Sequence, residues 1–181
     1  MPTPIGIPEL ITSKSLKVDI AVYLNPHFRD IELACSLEKT FIAANCTAYC
    51  VGEGYANRKG WIGQDTDWIS RACQSKMILT APGMGGLSAG LLFDKPLLLL
   101  ATQQPEQLKN ARKFATLGLI HRVLIWNNNS VAFEEKLLEA IKTFNSMPQM
   151  NDEVGREKAL ERLNLWIKVL ELISGGSSGK S

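Results

Sequence analysis

The sequence predicts an α/β fold: a parallel sheet covered by helices on both faces. Three observations carry this. Short apolar runs alternate with segments whose apolar residues recur at helical spacing, the pattern of successive βαβ units. The stretch Met77–Ala111, MILTAPGMGGLSAGLLFDKPLLLLATQQPEQLKNA, reads as strand, Gly-rich turn, small-residue helix, strand and polar loop. The chain has 181 residues, 45% of them apolar and 21% charged, enough for one domain with a sizeable core and too few for two large ones.

Residues 1–16 hold three prolines and little periodicity, and read as a linker or arm before a domain spanning 17–173. Lys17–Leu24 (KVDIAVYL) is a buried strand, broken by Asn25-Pro26. From Arg29 to Asn45, Ile31, Ala34, Leu37, Phe41 and Ile42 recur at helical spacing. Cys46–Val51 is a second strand, ended by Gly52 and Gly54, and Tyr55–Gln64 is a loop with a very short strand near Trp61. Asp65 is placed to cap a helix over Thr66–Gln74.

Met77–Thr80 is the strand before the Gly-rich turn, and Gly85–Phe93 the helix after it. Pro96–Ala101 is another parallel strand, followed by a helix over Gln107–Leu117 that Gly118 stops. His121–Trp126 is the last of five or six strands, and Asn127–Ser130 a cap-rich turn into the helix Val131–Asn145. After a break at Pro148, Val154–Ile173 is amphipathic, with Leu160, Leu163, Trp166, Ile167, Leu170 and Ile173 on one stripe. Residues 174–181 form a Gly/Ser-rich tail expected to be disordered.

Bulk properties exclude several classes. A net charge of +2 gives no general electrostatic case for nucleic acid or a membrane surface. The longest uncharged run, Met77–Phe93, carries Pro82 and four glycines and is too short to span a bilayer. The N-terminus lacks a signal-peptide layout, so a cytoplasmic protein is expected. Cys35, Cys46, Cys50 and Cys73 form no CxxC, and with His27 and His121 as the only histidines no metal site is expected. Asp65-Thr66-Asp67 has a metal-motif spelling but precedes a helix, where capping explains it better. Gly176–Ser181 (GSSGKS) resembles part of a nucleotide-hydrolase phosphate loop, but Ser174 stands where the first glycine belongs and no helix follows.

The turn itself is a natural anion site, because unpaired N–H groups and the dipole of the following helix both face it. His27 lies at the sheet's C-terminal edge, where α/β ligands gather; it could act as acid, base or phosphate donor, or simply lie on the surface. His121 lies at the far edge, in a structural position.

The order and spacing of these pieces resembles the C-terminal, donor-binding half of GT-B glycosyltransferases, in particular the group that includes UDP-dependent glucuronosyl- and glycosyl-transferases. That family carries a block of the form HGGxxTxxEAxxxGxP, then a strand, then a loop ending in an acidic residue and Gln. Here the block is APGMGGLSAGLLFDKP, followed by LLLLA and TQQPEQLKNA. The resemblance covers about residues 17–145. It implies a single Rossmann-like GT-B half, which binds a nucleotide-diphosphate sugar as donor substrate and needs no separate cofactor.

Carried over by position, the resemblance puts the donor diphosphate on Gly83, Met84, Gly85, Gly86, Leu87 and Ser88. The donor sugar falls to Glu106 and Gln107, whose carboxylate and amide suit a vicinal diol. The nucleobase falls to Trp61 and Gln64, where WIGQ resembles the family's W-x-P-Q with Gly63 in place of the proline. Several signature residues differ. The family's diphosphate-contacting histidine is Ala81, its threonine is Gly86, and its ribose-gripping glutamate is Ala89. The acceptor side and usual catalytic base belong to the other half of such enzymes, so no catalytic residue is assigned here. The chain is then a fragment, a subunit completed by an acceptor-domain partner chain, or a non-catalytic scaffold domain that keeps the fold. Fold transfers more safely than activity.

Overall fold

The computed structural model describes residues 18–116 and 119–148, and the helical positions 157, 160, 161, 164 and 167. The arm at 1–16, the stop at Gly118, the GSSGKS run and the tail at 174–181 lie outside the described residues.

Six parallel strands form the sheet: β1 Ile20–Leu24, β2 Ala48–Gly52, β3 Trp61–Ile62, β4 Met77–Thr80, β5 Leu97–Ala101 and β6 His121–Ile125. Their spatial order is β3-β2-β1-β4-β5-β6, the doubly wound Rossmann-like order. The helices are α1 Ile31–Ala43, α2 Trp68–Gln74, α3 Met84–Phe93, α4 Pro105–Thr116 and α5 Ser130–Asn145.

Alternating side chains of the strands feed two cores, as a sheet covered on both faces requires. On one face Ile20, Val22 and Leu24 of β1, Leu79 of β4 and Leu98 of β5 meet Leu33, Leu37 and Phe41 of α1 and Phe133, Leu137 and Ile141 of α5. On the other, Ala21, Ile78, Leu97 and Leu99 meet Trp68 and Ala72 of α2 and Ala89 and Phe93 of α3.

The register of α1 differs from its sequence reading. Ile31 and Ile42 are 66% and 80% exposed, and the buried face is Leu33, Ala34, Leu37, Thr40 and Phe41. The Asp30 cap sets this phase: its Oδ1 accepts the Glu32 N–H at 2.9 Å. Its Oδ2 accepts the Trp126 indole N–H at 2.7 Å, and its carbonyl accepts the Tyr55 hydroxyl at 3.0 Å. One residue thus fastens the β1–α1 connection to the chain beyond β6 and to the 3-10 turn Glu53–Tyr55.

At the far end, Glu157, Leu160, Glu161, Asn164 and Ile167 are helical and exposed, Leu160 and Ile167 at 43% and 45%. The expected stripe partners Leu163, Trp166, Leu170 and Ile173 lie outside the described residues. No helix among the described residues is long and apolar enough to cross a membrane.

Candidate functional site

A parallel sheet that reverses its winding leaves a crevice at the C-terminal ends of the two strands from which it runs outward. Here those strands are β1 and β4, and the crevice is present, with a cavity of about 430 Å³. Tyr23 and Asn25 reach it from the end of β1, Thr80, Ala81, Gly83, Gly85 and Gly86 from the end of β4 and the start of α3, and Asp65, Trp68 and Ile69 from the start of α2. Its size is that of a small-molecule site.

The helix after the turn starts one residue earlier than the sequence suggests, at Met84, with Gly83 in extended backbone as its N-cap. The N–H groups of Met84, Gly85 and Gly86 therefore have no partner one turn back in the helix, while the Gly83 N–H turns onto the Ala81 carbonyl at 2.8 Å. This places the first turn of α3 one residue earlier than the sequence reading. Ser88 is 2% exposed and does not line the crevice, and its Oγ finds no hydrogen-bond partner among the described residues.

The glycines divide by the space around them. A Cβ on Gly86 would collide with Thr80 Cγ2 and stand 3.2 Å from the Ala81 carbonyl, and one on Gly90 would stand 2.5 Å from Leu97 Cδ1. These two let α3 lie close on β4 and β5. A Cβ on Gly83 or Gly85 would meet nothing within 4 Å.

The side chains expected on the sugar and base behave differently from one another. Glu106 is exposed in the first turn of α4, at the C-terminal edge of β5, where its charge complements the helix dipole. The Gln107 amide is engaged: its Oε1 accepts the Thr102 N–H at 2.7 Å and the Thr102 hydroxyl at 3.1 Å, and its Nε2 donates to Gln104 Oε1 at 3.1 Å. It braces the β5–α4 loop, beside an open cavity lined by Thr102, Gln103, Gln104, Pro105, Trp126, Asn127 and Asn128.

Trp61 is 6% exposed and lies in the core. Its ring packs on Tyr55, centroids 4.5 Å apart, and its indole N–H donates to Glu38 Oε1 at 3.0 Å. The structure does not bring it to the crevice, and Gln64 beside it is exposed on the loop into α2. Two aromatic side chains line the crevice instead: Tyr23, 42% exposed, and Trp68, 6% exposed, their rings tilted on each other at 5.2 Å. Trp68 is fixed in turn by its indole N–H bond to the Val22 carbonyl at 3.0 Å.

Asp65 does not cap α2; the N-cap is Asp67, which makes no side-chain cap bond. Asp65 Oδ1 instead accepts the Asp67 N–H at 2.9 Å, while Oδ2 accepts the Tyr49 hydroxyl at 2.7 Å and Arg71 Nε at 3.3 Å. The Arg71 guanidinium lies 4.1 Å above the Tyr49 ring. Burial pushes the Asp65 carboxyl up, but the Tyr49 hydroxyl, the Asp67 amide and Arg71 together outweigh it and hold the group below its ordinary range. Burial, with the Asp65 contact added to it, pushes the Tyr49 hydroxyl up to about 12. Nothing in the sequence pairs Tyr49 with a residue 16 positions away on another element.

His27 is exposed just beyond β1, and His121 Nδ1 lies 2.8 Å from the Leu119 carbonyl at the opposite edge of the sheet. Among the described residues no three His, Cys, Asp or Glu side chains converge as a metal site would require.

No family model and no curated protein sequence matches the chain. Among solved structures it is similar to a glycosyltransferase of kitacinnamycin, with a TM-score of 0.59 and 17% sequence identity over 89% of this chain. The match spans 42% of that protein's length. At this identity the likeness establishes the fold: a Rossmann-like α/β unit of the kind found in a glycosyltransferase.

Proposed function

We propose that the chain binds a nucleotide-diphosphate sugar as the donor half of a glycosyltransferase, with the acceptor held by a further domain or a partner chain. The observation that carries this reading is the N-terminus of α3 opening into the crevice between β1 and β4, with glycines at 83 and 85 that packing does not require. The three first-turn N–H groups, which have no partner one turn back in the helix, and the positive end of a ten-residue helix suit a diphosphate. The same groups would stabilise the leaving diphosphate as the sugar departs, an electrostatic contribution that needs no side chain from this half. Glu106 would accept from sugar hydroxyls, with Gln107 positioning the loop that carries it. Tyr23 takes the place of Trp61 as the aromatic surface available to the base. The fold likeness to a glycosyltransferase supports the reading.

A non-catalytic domain that keeps the fold is the second reading. Ala81 lines the crevice without a polar group, and Ala89 is fully buried in the core between α3 and the sheet, where no carboxylate could replace it without losing its hydration. Titration calorimetry with UDP, GDP and TDP tests the proposal. Binding of at least one, lost in Gly85→Leu with the fold intact, is the expected result. No heat with any of them at millimolar concentration overturns the donor site and leaves the scaffold reading.

A further inference from the structure

Two parts of the crevice make opposite demands on a ligand. The start of α3 presents N–H donors and asks for an anion. On the α2 side the same cavity is lined by a carboxylate, Asp65, 13% exposed. An ionised carboxylate accepts hydrogen bonds and repels phosphate, so what meets it must be a neutral or positive donor.

Its free capacity can be counted. Each carboxylate oxygen offers about two acceptor positions. Oδ2 uses both, for the Tyr49 hydroxyl and Arg71 Nε, while Oδ1 uses one, for the Asp67 N–H. One position on Oδ1 is left. Arg71 balances the charge, so the carboxylate does not spoil the field that an anion meets at α3. Asn25 lines the same cavity with its Oδ1 accepting the His27 N–H at 3.2 Å, and its amide Nδ2 has no partner among the described residues. Besides the N–H groups of α3 and the Tyr23 and Thr80 hydroxyls, the crevice therefore offers a carboxylate acceptor on Asp65 and an amide donor on Asn25.

We propose that Asp65 and Asn25 form a hydroxyl-recognising pair that takes a vicinal diol, so that the crevice selects a phosphorylated ribose over its deoxygenated counterpart. Asp65 Oδ1 accepts one hydroxyl of the diol and Asn25 Nδ2 donates to the other oxygen. Tyr49 and Arg71 are positioning residues that hold the carboxylate ionised and fixed in direction. The inference rests on the donor-site reading and adds to it the sugar of the nucleotide and the residues that recognise it.

Calorimetry on the full chain with UDP and GDP against their 2′,3′-dideoxy counterparts, in EDTA and again with Mg²⁺, tests it. The wild type is expected to favour the ribose form by about tenfold to a hundredfold, the size of a hydrogen bond to a charged group. Asp65→Asn should reduce that preference to within about threefold, and Tyr49→Phe, which keeps the carboxylate but loosens its direction, should reduce it by a smaller factor; a preference untouched by Tyr49→Phe overturns the positioning role. Equal binding of ribose and dideoxyribose forms by the wild type overturns the pair while leaving the anion cradle standing. A preference unchanged in a folded Asp65→Asn does the same. An Asp65 effect seen only with Mg²⁺ also overturns the pair, because it makes the carboxylate a cation ligand. Absence of binding by every diphosphate overturns the donor site and the pair together.

Discussion

Gly85 and Gly86 are neighbours in the first turn of α3, yet alanine should act in opposite directions at the two positions. Gly→Ala in a helix gains up to about 1 kcal/mol in propensity, less near an end, and both positions share that gain. At Gly85 the new methyl group meets nothing within 4 Å, so the gain stands. At Gly86 it collides with Thr80 Cγ2 and crowds the Ala81 carbonyl at 3.2 Å. Thr80 is 3% exposed and β-branched, so it cannot swing aside, and the carbonyl belongs to the backbone. Overpacking of this kind costs about 1–3 kcal/mol. Because propensity cancels between the two variants, their difference in stability is the steric cost alone, about 1–3 kcal/mol in favour of Gly85→Ala. Urea denaturation followed by circular dichroism should separate their midpoints by about 1 M at an ordinary m-value. If Gly86→Ala is as stable as Gly85→Ala, the close approach of α3 to β4 is wrong, and with it the assignment of Gly86 to packing rather than to ligand.

Three further predictions rest on particular side chains. Ser88→Ala should leave nucleotide affinity unchanged and raise stability by about 1 kcal/mol, because it removes a buried hydroxyl without a partner; a clear loss of affinity would return Ser88 to the site. Stability should fall as pH drops below about 4.5, the ordinary glutamate value. The Arg58 and Trp61 hydrogen bonds hold Glu38 low against burial, while Asp19 is pushed up by burial and held lower still by Lys76 and Thr47. A carboxyl whose folded pKa is depressed stabilises fully above its unfolded pKa and loses that contribution as pH falls through the folded one. Asp19→Asn should flatten the acid limb of a stability–pH curve; an unaltered limb would count against the Asp19–Lys76–Thr47 cluster. Under native conditions a thiol reagent should modify exposed Cys35 first and leave Cys50, whose thiol burial pushes up to about 12, until unfolding; equal rates would contradict its placement in the core.

β1, β4 and β5 were legible as short apolar runs bounded by turn residues, such as Asn25-Pro26 after β1. α5 was legible for a similar reason, since Asn129 caps it through the Ala132 N–H at 3.1 Å. What sequence left open were choices between faces and between distant partners. A helical stripe has two edges, and periodicity could not say that Leu33 would be buried and Ile42 exposed. Trp61 falls in the WIGQ segment that resembles the W-x-P-Q of GT-B transferases, but its ring is committed to Tyr55 and Glu38. That commitment depends on Glu38, 23 residues away on α1. Asp65 reads as a helix cap because capping is the commonest local use of an aspartate before a helix. Its carboxylate is directed instead by Tyr49 on β2 and Arg71 on α2, a geometry that exists only after the sheet has formed.

The glycines of the turn bear unequally on function. Gly86 and Gly90 are fixed by the approach of α3 to β4 and β5, and would be expected there with or without a ligand. Gly83 is an N-cap in extended backbone, a place where glycine is ordinary. Gly85 is different. It lies inside the helix at negative φ, with open space where a Cβ would go, so neither conformation nor packing calls for glycine, and alanine would make the helix more stable. A glycine that lowers the stability of its own helix and lines the crevice is what the proposed diphosphate site calls for. Among the four glycines, position 85 is therefore where a ligand-binding role and a purely structural role predict different behaviour: a side chain at 85 should block binding without harming the fold, while one at 86 should harm the fold first.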